Sequence, residues 1–276
     1  GAGSDGGLIV VSLPVLGLTL AWMTVVMNAA WVTQRAAGNS GWIDVFWTFG
    51  TGAAGMMAAL APFAGAEGPS ARQLLAAGII LVWALRLGGY IAHRVAVSAE
   101  DARYTRYRVV WGESYQRTLY LFVLPQAAIS ALLCASTMAA ASRPVAGLGL
   151  RDILAAVILL VAIAGEGLAD AQMAAFKRRG PPKGSVCSKG LWAWSRHPNY
   201  FFEWFGWLAW PVMGLDPGRP VTWLTLIAPA AMFGVLRFLT GVPPLEETMI
   251  ASRGDAYRTY QATTSAFFPL PPKQGA

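Results

Sequence analysis

The chain has 276 residues, 55% of them hydrophobic and only 13% charged, about half the ~25% charge of an ordinary soluble domain. That excess of apolar surface excludes a disordered chain and a water-soluble globule, and two cysteines, Cys134 and Cys187, cannot make a disulfide scaffold. A net charge of +7 would suit nucleic acid, but the basic residues lie in loops beside apolar stretches, which is the pattern of membrane topology.

A hydrocarbon core of ~30 Å needs about 20 apolar helical residues. In chain order, seven stretches meet that need: 8–31, 42–64, 73–93, 118–141, 152–176, 199–215 and 220–241. The fold expected is an all-α, polytopic membrane protein with seven transmembrane helices in one domain, 1–276, ending in a tail at 242–276. Alternate loops carry very different charge. One set holds fifteen Lys and Arg residues, the other only Arg72, Arg143, Arg151 and Arg219. The positive-inside rule then puts the N-terminus outside and the C-terminus in the cytoplasm. No basic segment precedes the first apolar run, so a signal peptide is not expected. Residues 94–117 and 177–198 read as long cytoplasmic loops, and 253–260 as a short amphipathic helix against that face.

Ionisable residues inside spans cost ~2.5–3.5 kcal/mol each even on the milder insertion scales, so each asks for a reason. Asp44 lies near the cytoplasmic end of the second span. Arg86, Tyr90 and Arg94 follow one helical face of the third, and Glu166, Asp170 and Lys177 follow one face of the fifth. Arg196, His197, Pro198, Asn199 and Tyr200 open the sixth, with Glu203 one turn inside, and Arg237 is near the end of the seventh. Pairing among these groups could simply hold a bundle together, Asp44 with Arg86 for example. Four spans bringing both signs of charge to one leaflet describe instead a polar cavity open to the cytoplasm. Arginine and lysine suit phosphates, carboxylates suit ribose hydroxyls or an amide, and Asn199 offers a donor and an acceptor to a carboxamide. A dinucleotide combines these needs.

Other chemistries find little support. Gly1, Gly3 and Gly6 spell G-x-G-x-x-G, but no strand precedes them, so a Rossmann domain is not expected. His93 and His197 are the only histidines, and no cluster has metal-ligand spacing, so no metal is expected.

The segment Lys189-Gly-Leu-Trp-Ala-Trp-Ser-Arg196-His197-Pro-Asn199-Tyr200-Phe-Phe-Glu203-Trp204 resembles the C-terminal signature of the steroid 5α-reductase family, and its Arg-His-Pro-Asn-Tyr core that of membrane sterol reductases. Trp42–Gly50, Arg86-Leu-Gly-Gly-Tyr90 and Ala256-Tyr257-Arg-Thr-Tyr260 before Phe267-Phe268-Pro269 extend the resemblance, from about residue 40, to a bacterial branch of that family. It implies a multi-pass protein of a bacterial inner membrane that uses NADPH to reduce the C=C bond of a 3-oxo-Δ4 steroid or another lipid-soluble enone. Hydride would go to the β-carbon while an acid polarises the ketone. By the same resemblance Asn199 and Glu203, in the motif with His197 and Tyr200, hold the nicotinamide end. Glu166 and Asp170 take ribose or adenine, Arg86, Arg94, Lys177 and Arg196 take phosphates, and Glu246 and Tyr257 close over the cofactor. Asp44 and Tyr90 are the expected acid groups, with Trp42 and Trp47 beside the substrate. The bilayer is the expected partner, with neither nucleic acid nor an obligate protein. Membrane methyltransferases that use S-adenosylmethionine share the Arg-His-Pro-aromatic pattern and downstream Glu-Glu, and are the alternative. A lipid or sterol sensor that binds no nucleotide is a third reading.

Overall fold

A chain with too much apolar surface for water satisfies its backbone groups within helices. The computed structural model describes residues 11–62, 67–142 and 147–273, and helix is the only regular structure among them. Expectations resting on Gly1, Gly3 and Gly6, on the first residues of the first span, on 63–64, on Arg143 and on 274–276 lie outside the described residues.

Helix α1 (Leu13–Ala37) begins where the Ser12 hydroxyl accepts from the Val15 amide, and ends at Gly38, whose φ of 66° is left-handed. After α2 (Trp42–Ala59), α3 (Ala71–Val97) opens with a reciprocal capping box between Ser70 and Gln73. α4 (Ala102–Trp111), a 3-10 turn at Gly112–Ser114, α5 (Tyr115–Val123) and α6 (Gln126–Ala141) follow. Pro125 lacks the amide needed to carry α5 straight into α6. The long α7 (Leu150–Arg178) leads through the short α8 (Leu191–Trp194) to α9 (Pro198–Trp207) and α10 (Ala209–Gly214). Last come a 3-10 turn (Pro220–Leu226), α11 (Ile227–Gly234), a π-helical turn (Val235–Leu239), α12 (Val242–Arg253) and α13 (Asp255–Thr263).

Among the described residues, five helical stretches are long and apolar enough to cross a membrane: Leu13–Ala37, Ala71–Val97, Ala102–Ala141, Leu150–Arg178 and Pro220–Arg253. The expected second span is α2, whose Asp44, Gly and Thr residues lower its hydropathy. Neighbouring helices cover much of it. Gly50 faces Val26 of α1, while Gly52 and Gly55 admit Ala84 and Ile80 of α3, so the backbones approach as small residues allow in lipid. The expected sixth span is divided into α9 and α10, of ten and six residues. Pro211 cannot donate to the Trp207 carbonyl, so the helix does not continue through it. Residues 94–117, expected as a loop, are largely helical, because α3 runs on to Val97 and α4 follows.

The core has two lobes with α6 between them. One gathers α1, α2 and α5 around Met23, Met27, Ile43 and Leu119, and the other gathers α3, α7, α9, α10 and α11 around Ile80, Trp83, Trp207 and Trp210. From Leu133 to Ser142 every residue of α6 and its cap is buried. Outward faces of α1, α3 and α7 carry exposed Leu18, Val25, Leu74, Leu85, Leu160 and Leu168, the surface a bilayer covers.

Arg72, expected in a loop, is on the first turn of α3 and only 4% exposed. Its Nε and Nη2 donate to Asp152 of α7 at 2.7 and 2.8 Å, and Asp152 also accepts from the Gly149 amide at 2.9 Å. Removing one partner strands a buried charge. Arg72→Ala is therefore expected to lose about 3–5 kcal/mol of stability, as is Asp152→Ala. Replacing both with apolar residues should recover most of that loss. Thermal unfolding in detergent measures all three variants.

Candidate functional site

Fourteen residues after Arg72, Arg86 enters the same bundle at another height. Its Nη1 lies 2.5 Å from Glu166 Oε2 and its Nη2 donates to Asp170 Oδ2 at 2.9 Å, two carboxylates one turn apart on α7. One turn earlier on α3, the Trp83 indole donates to both oxygens of Glu203, at 3.0 and 3.1 Å. Trp207, four residues beyond Glu203 on α9, donates to Oε1 at 3.0 Å. The Trp83 and Trp207 rings meet edge to face at 5.1 Å, and Trp47 packs against Trp83 at 6.0 Å. Phe202 presses α9 onto α7 at Gly165, where a Cβ would collide with the ring. Arg86, Glu166, Asp170 and Glu203 therefore meet where α3, α7 and α9 converge, as the sequence led one to expect. The indole donors were not foreseen, although Trp83 and Trp207 each stand one turn from a charged residue.

Asn199 shares a face of α9 with Glu203, is half-buried, and has no hydrogen-bond partner among the described residues. Tyr200 stacks on His197 at 5.7 Å. Tyr90 points outward from the Arg86 face, with the guanidinium groups of Arg86 and Arg94 over its ring at 5.6 and 6.0 Å. Its hydroxyl makes no hydrogen bond among the described residues. Trp42 is half-buried at the start of α2.

Asp44 belongs to a second cluster. Its partner is Arg103, at 2.7 Å, and not Arg86, and its other oxygen accepts from the Tyr104 hydroxyl at 2.9 Å. The phenol beside Asp44 is thus Tyr104 on α4, not Tyr90. Asp101 links Arg103 at 3.0 Å with Arg94 at 3.1 Å. Asp101-Ala-Arg103-Tyr104 falls within 94–117, the stretch expected to be a loop. Asp101, accepting from the Arg103 amide as the cap of α4, was the signal for a helix there.

The third cluster closes over the same face. Glu246 of α12 accepts from Arg196 Nε at 2.6 Å and Gln261 at 2.8 Å, lies 3.2 Å from His197 Nε2, and takes a longer bond from Tyr257. Arg196 Nη1 also donates to the Gln261 and Thr264 carbonyls. Arg196, Glu246 and Tyr257 come together here and hold the tail to the start of α9. The tail runs back along 194–196 through Arg196 N to Ser265 O, Ser195 Oγ to Phe267 O and Leu270 N to Trp194 O. Burial pushes the His197 imidazole below its usual pKa despite Glu246. Lys177 stands apart from all three clusters, exposed on the last turn of α7.

Burial opposes ionisation of Asp101, but the charges of Arg103 and Arg94 prevail and hold its carboxyl at about 2, below the usual 3.8. A depressed value means that ionisation favours the folded state: the gain is complete above 3.8 and lost as pH falls toward about 2, roughly 2 kcal/mol in all. Near-ultraviolet circular dichroism should record destabilisation between about pH 4 and pH 2. Asp101→Asn should flatten that dependence.

Comparison with known proteins places the chain without assigning it an activity. Over 80 residues it is 34% identical to an uncharacterized protein of Schizosaccharomyces pombe, a stretch covering 29% of this chain and 22% of that relative. No solved structure matches it. Residues 30–264 match the model of a family described as protein of unknown function (DUF1295), and the chain belongs to that family.

Proposed function

We propose that this protein is a membrane reductase that saturates the C=C bond of a 3-oxo-Δ4 steroid or similar lipid enone with NADPH. The observation that carries this reading is the pairing of Asn199 with Glu203 on one face of α9. An ionised carboxylate has about four acceptor positions, and at Glu203 they meet only two donors, the Trp83 N–H shared between both oxygens and the Trp207 N–H on Oε1. The acceptor capacity left over, with the unpartnered amide of Asn199, fits the carboxamide of a nicotinamide. The resemblance of Lys189–Trp204 to the steroid 5α-reductases supports the same assignment.

The phosphate end needs more rearrangement. Arg86, Arg94 and Arg196 are all ion-paired and would serve phosphates only by exchanging partners. Arg237, half-buried in the π-helical turn and electrostatically close to His197, has no carboxylate partner among the described residues and fits a phosphate as it stands. NADPH would supply the hydride for the β-carbon. Tyr90, with its hydroxyl free, would donate the hydrogen bond that polarises the ketone, because the Tyr104 hydroxyl is engaged by Asp44. Asp44 then anchors α4. Glu166 and Asp170, oriented by Arg86, would accept from ribose hydroxyls, and Trp47 beside Trp83 would form part of the apolar wall.

One observation favours the methyltransferase reading. Glu166 and Asp170 pair with the single guanidinium of Arg86, and Glu203, held by the two indoles, adds a third carboxyl to the same cluster, an acidic excess suited to a sulfonium cation.

For orientation, α2 and the α9–α10 pair would join the five long helices as seven spans, with the N-terminus outside. A C-terminal tag should then be labelled only after the membrane is permeabilised; labelling in intact cells overturns that orientation.

Purified protein with NADPH and progesterone should lose reduced-nicotinamide absorbance and yield a product two mass units heavier. Asn199→Ala is expected to raise KM for NADPH at least tenfold, and Tyr90→Phe to lower kcat roughly 100-fold with little change in that KM. No turnover across a panel of steroid and lipid enones, together with binding of S-adenosylmethionine, would move the assignment to methyl transfer.

A further inference from the structure

At the last turn of α7, Phe176 and Lys177 meet Lys183 and Ser185 of the following loop and Ser252 and Arg253 of α12 around an open recess of about 340 Å³. No carboxylate lines it. Lys177 and Lys183 have no ion-pair or hydrogen-bond partner among the described residues. Arg253 is held in place by neutral groups alone, donating from Nε to the Ser185 carbonyl at 2.9 Å and from Nη1 to the Ser252 hydroxyl and the Met249 sulfur. Three cations and the Ser185 hydroxyl thus face one recess with no anion to balance them, a donor set suited to a phosphate, while the Ser252 hydroxyl donates to the Thr248 carbonyl.

Its position narrows the source. With 29 residues α7 is about 44 Å long at ~1.5 Å per residue, well beyond a ~30 Å hydrocarbon core. Its apolar flank, exposed at Leu160 and Leu168, faces lipid, and Lys177 follows at the polar end of that helix. Basic recesses at such a depth meet lipid phosphates. We propose that this recess binds the phosphate of an anionic phospholipid headgroup and so holds the end of α7 in the headgroup layer. The inference does not depend on the reductase reading.

Native mass spectrometry of the detergent-purified full chain, titrated with dioleoylphosphatidylglycerol or dioleoylphosphatidylcholine, tests it. Phosphatidylglycerol should bind at least tenfold more tightly, and the double variant Lys177→Gln/Lys183→Gln should lose that preference. Neither lysine has a partner to abandon, and an unchanged far-ultraviolet spectrum would verify the fold. Equal binding of the two lipids, or a preference that survives the double variant, overturns the proposal. Displacement of phosphatidylglycerol by adenosine 2′,5′-bisphosphate or inorganic phosphate at concentrations comparable to that of the lipid overturns the lipid source and assigns the recess to a soluble phosphate.

Discussion

A guanidinium cannot sit in the apolar middle of a helical bundle without an anion beside it, and Arg86 therefore dictates what α7 presents at that height. Glu166 and Asp170 answer it from two successive turns. The position of α7 then determines that of α9, since Phe202 seats on Gly165 and no larger residue leaves it room. α9 carries Asn199 and Glu203 to the same level, and Trp83, one turn from Arg86, reaches back to Glu203. Three helices are thereby closed into a ring by four polar contacts and one glycine. A change at any member shifts the others.

Much of this ring was legible in the sequence because helical periodicity converts spacing directly into a shared face. The stripes through Arg86 and through Glu166 and Asp170 needed only the rule of four, whereas the contacts of Glu246 with Arg196 and Tyr257 join residues that the resemblance named only for separate parts of a cofactor. What escaped depended on which helices are neighbours. Asp44, Arg86 and Arg103 lie on three different helices, and spacing alone cannot tell whether Asp44 meets Arg86 or Arg103. Arg72 looked like a topology signal in a loop, whereas its buried contact with Asp152 is a matter of tertiary placement. The break at Leu208 was written in Pro211, whose apolar surroundings hid it within a long hydrophobic run.

Adjacent carboxylates on α12 divide the work of closing one face. Glu246 turns to Arg196, His197 and Gln261, drawing α12 and the tail onto the start of α9, while Glu247 pairs with Arg106 of α4. α4 is in turn pinned to α2 through Asp44, Arg103 and Tyr104. The roof over the ring is thus one charged seam running from α2 to α9. Its apolar counterpart is the aromatic group of Phe201, Trp204, Phe233 and Phe267, which seats the tail against α9 and α11.

Fourteen positions separate Arg72 from Arg86, and fourteen separate Asp152 from Glu166, about 21 Å along either helix. Each arginine meets the carboxylate at its own level, so α3 and α7 point the same way, and antiparallel helices could not satisfy both pairs in that order. Whatever lies between them must recross the layer an odd number of times, as the bent stretch Ala102–Ala141 does once. The C-terminal ends of both helices are thereby committed to one side of the membrane, and parity arises from two matched distances inside the protein, independent of how charge is shared among its loops.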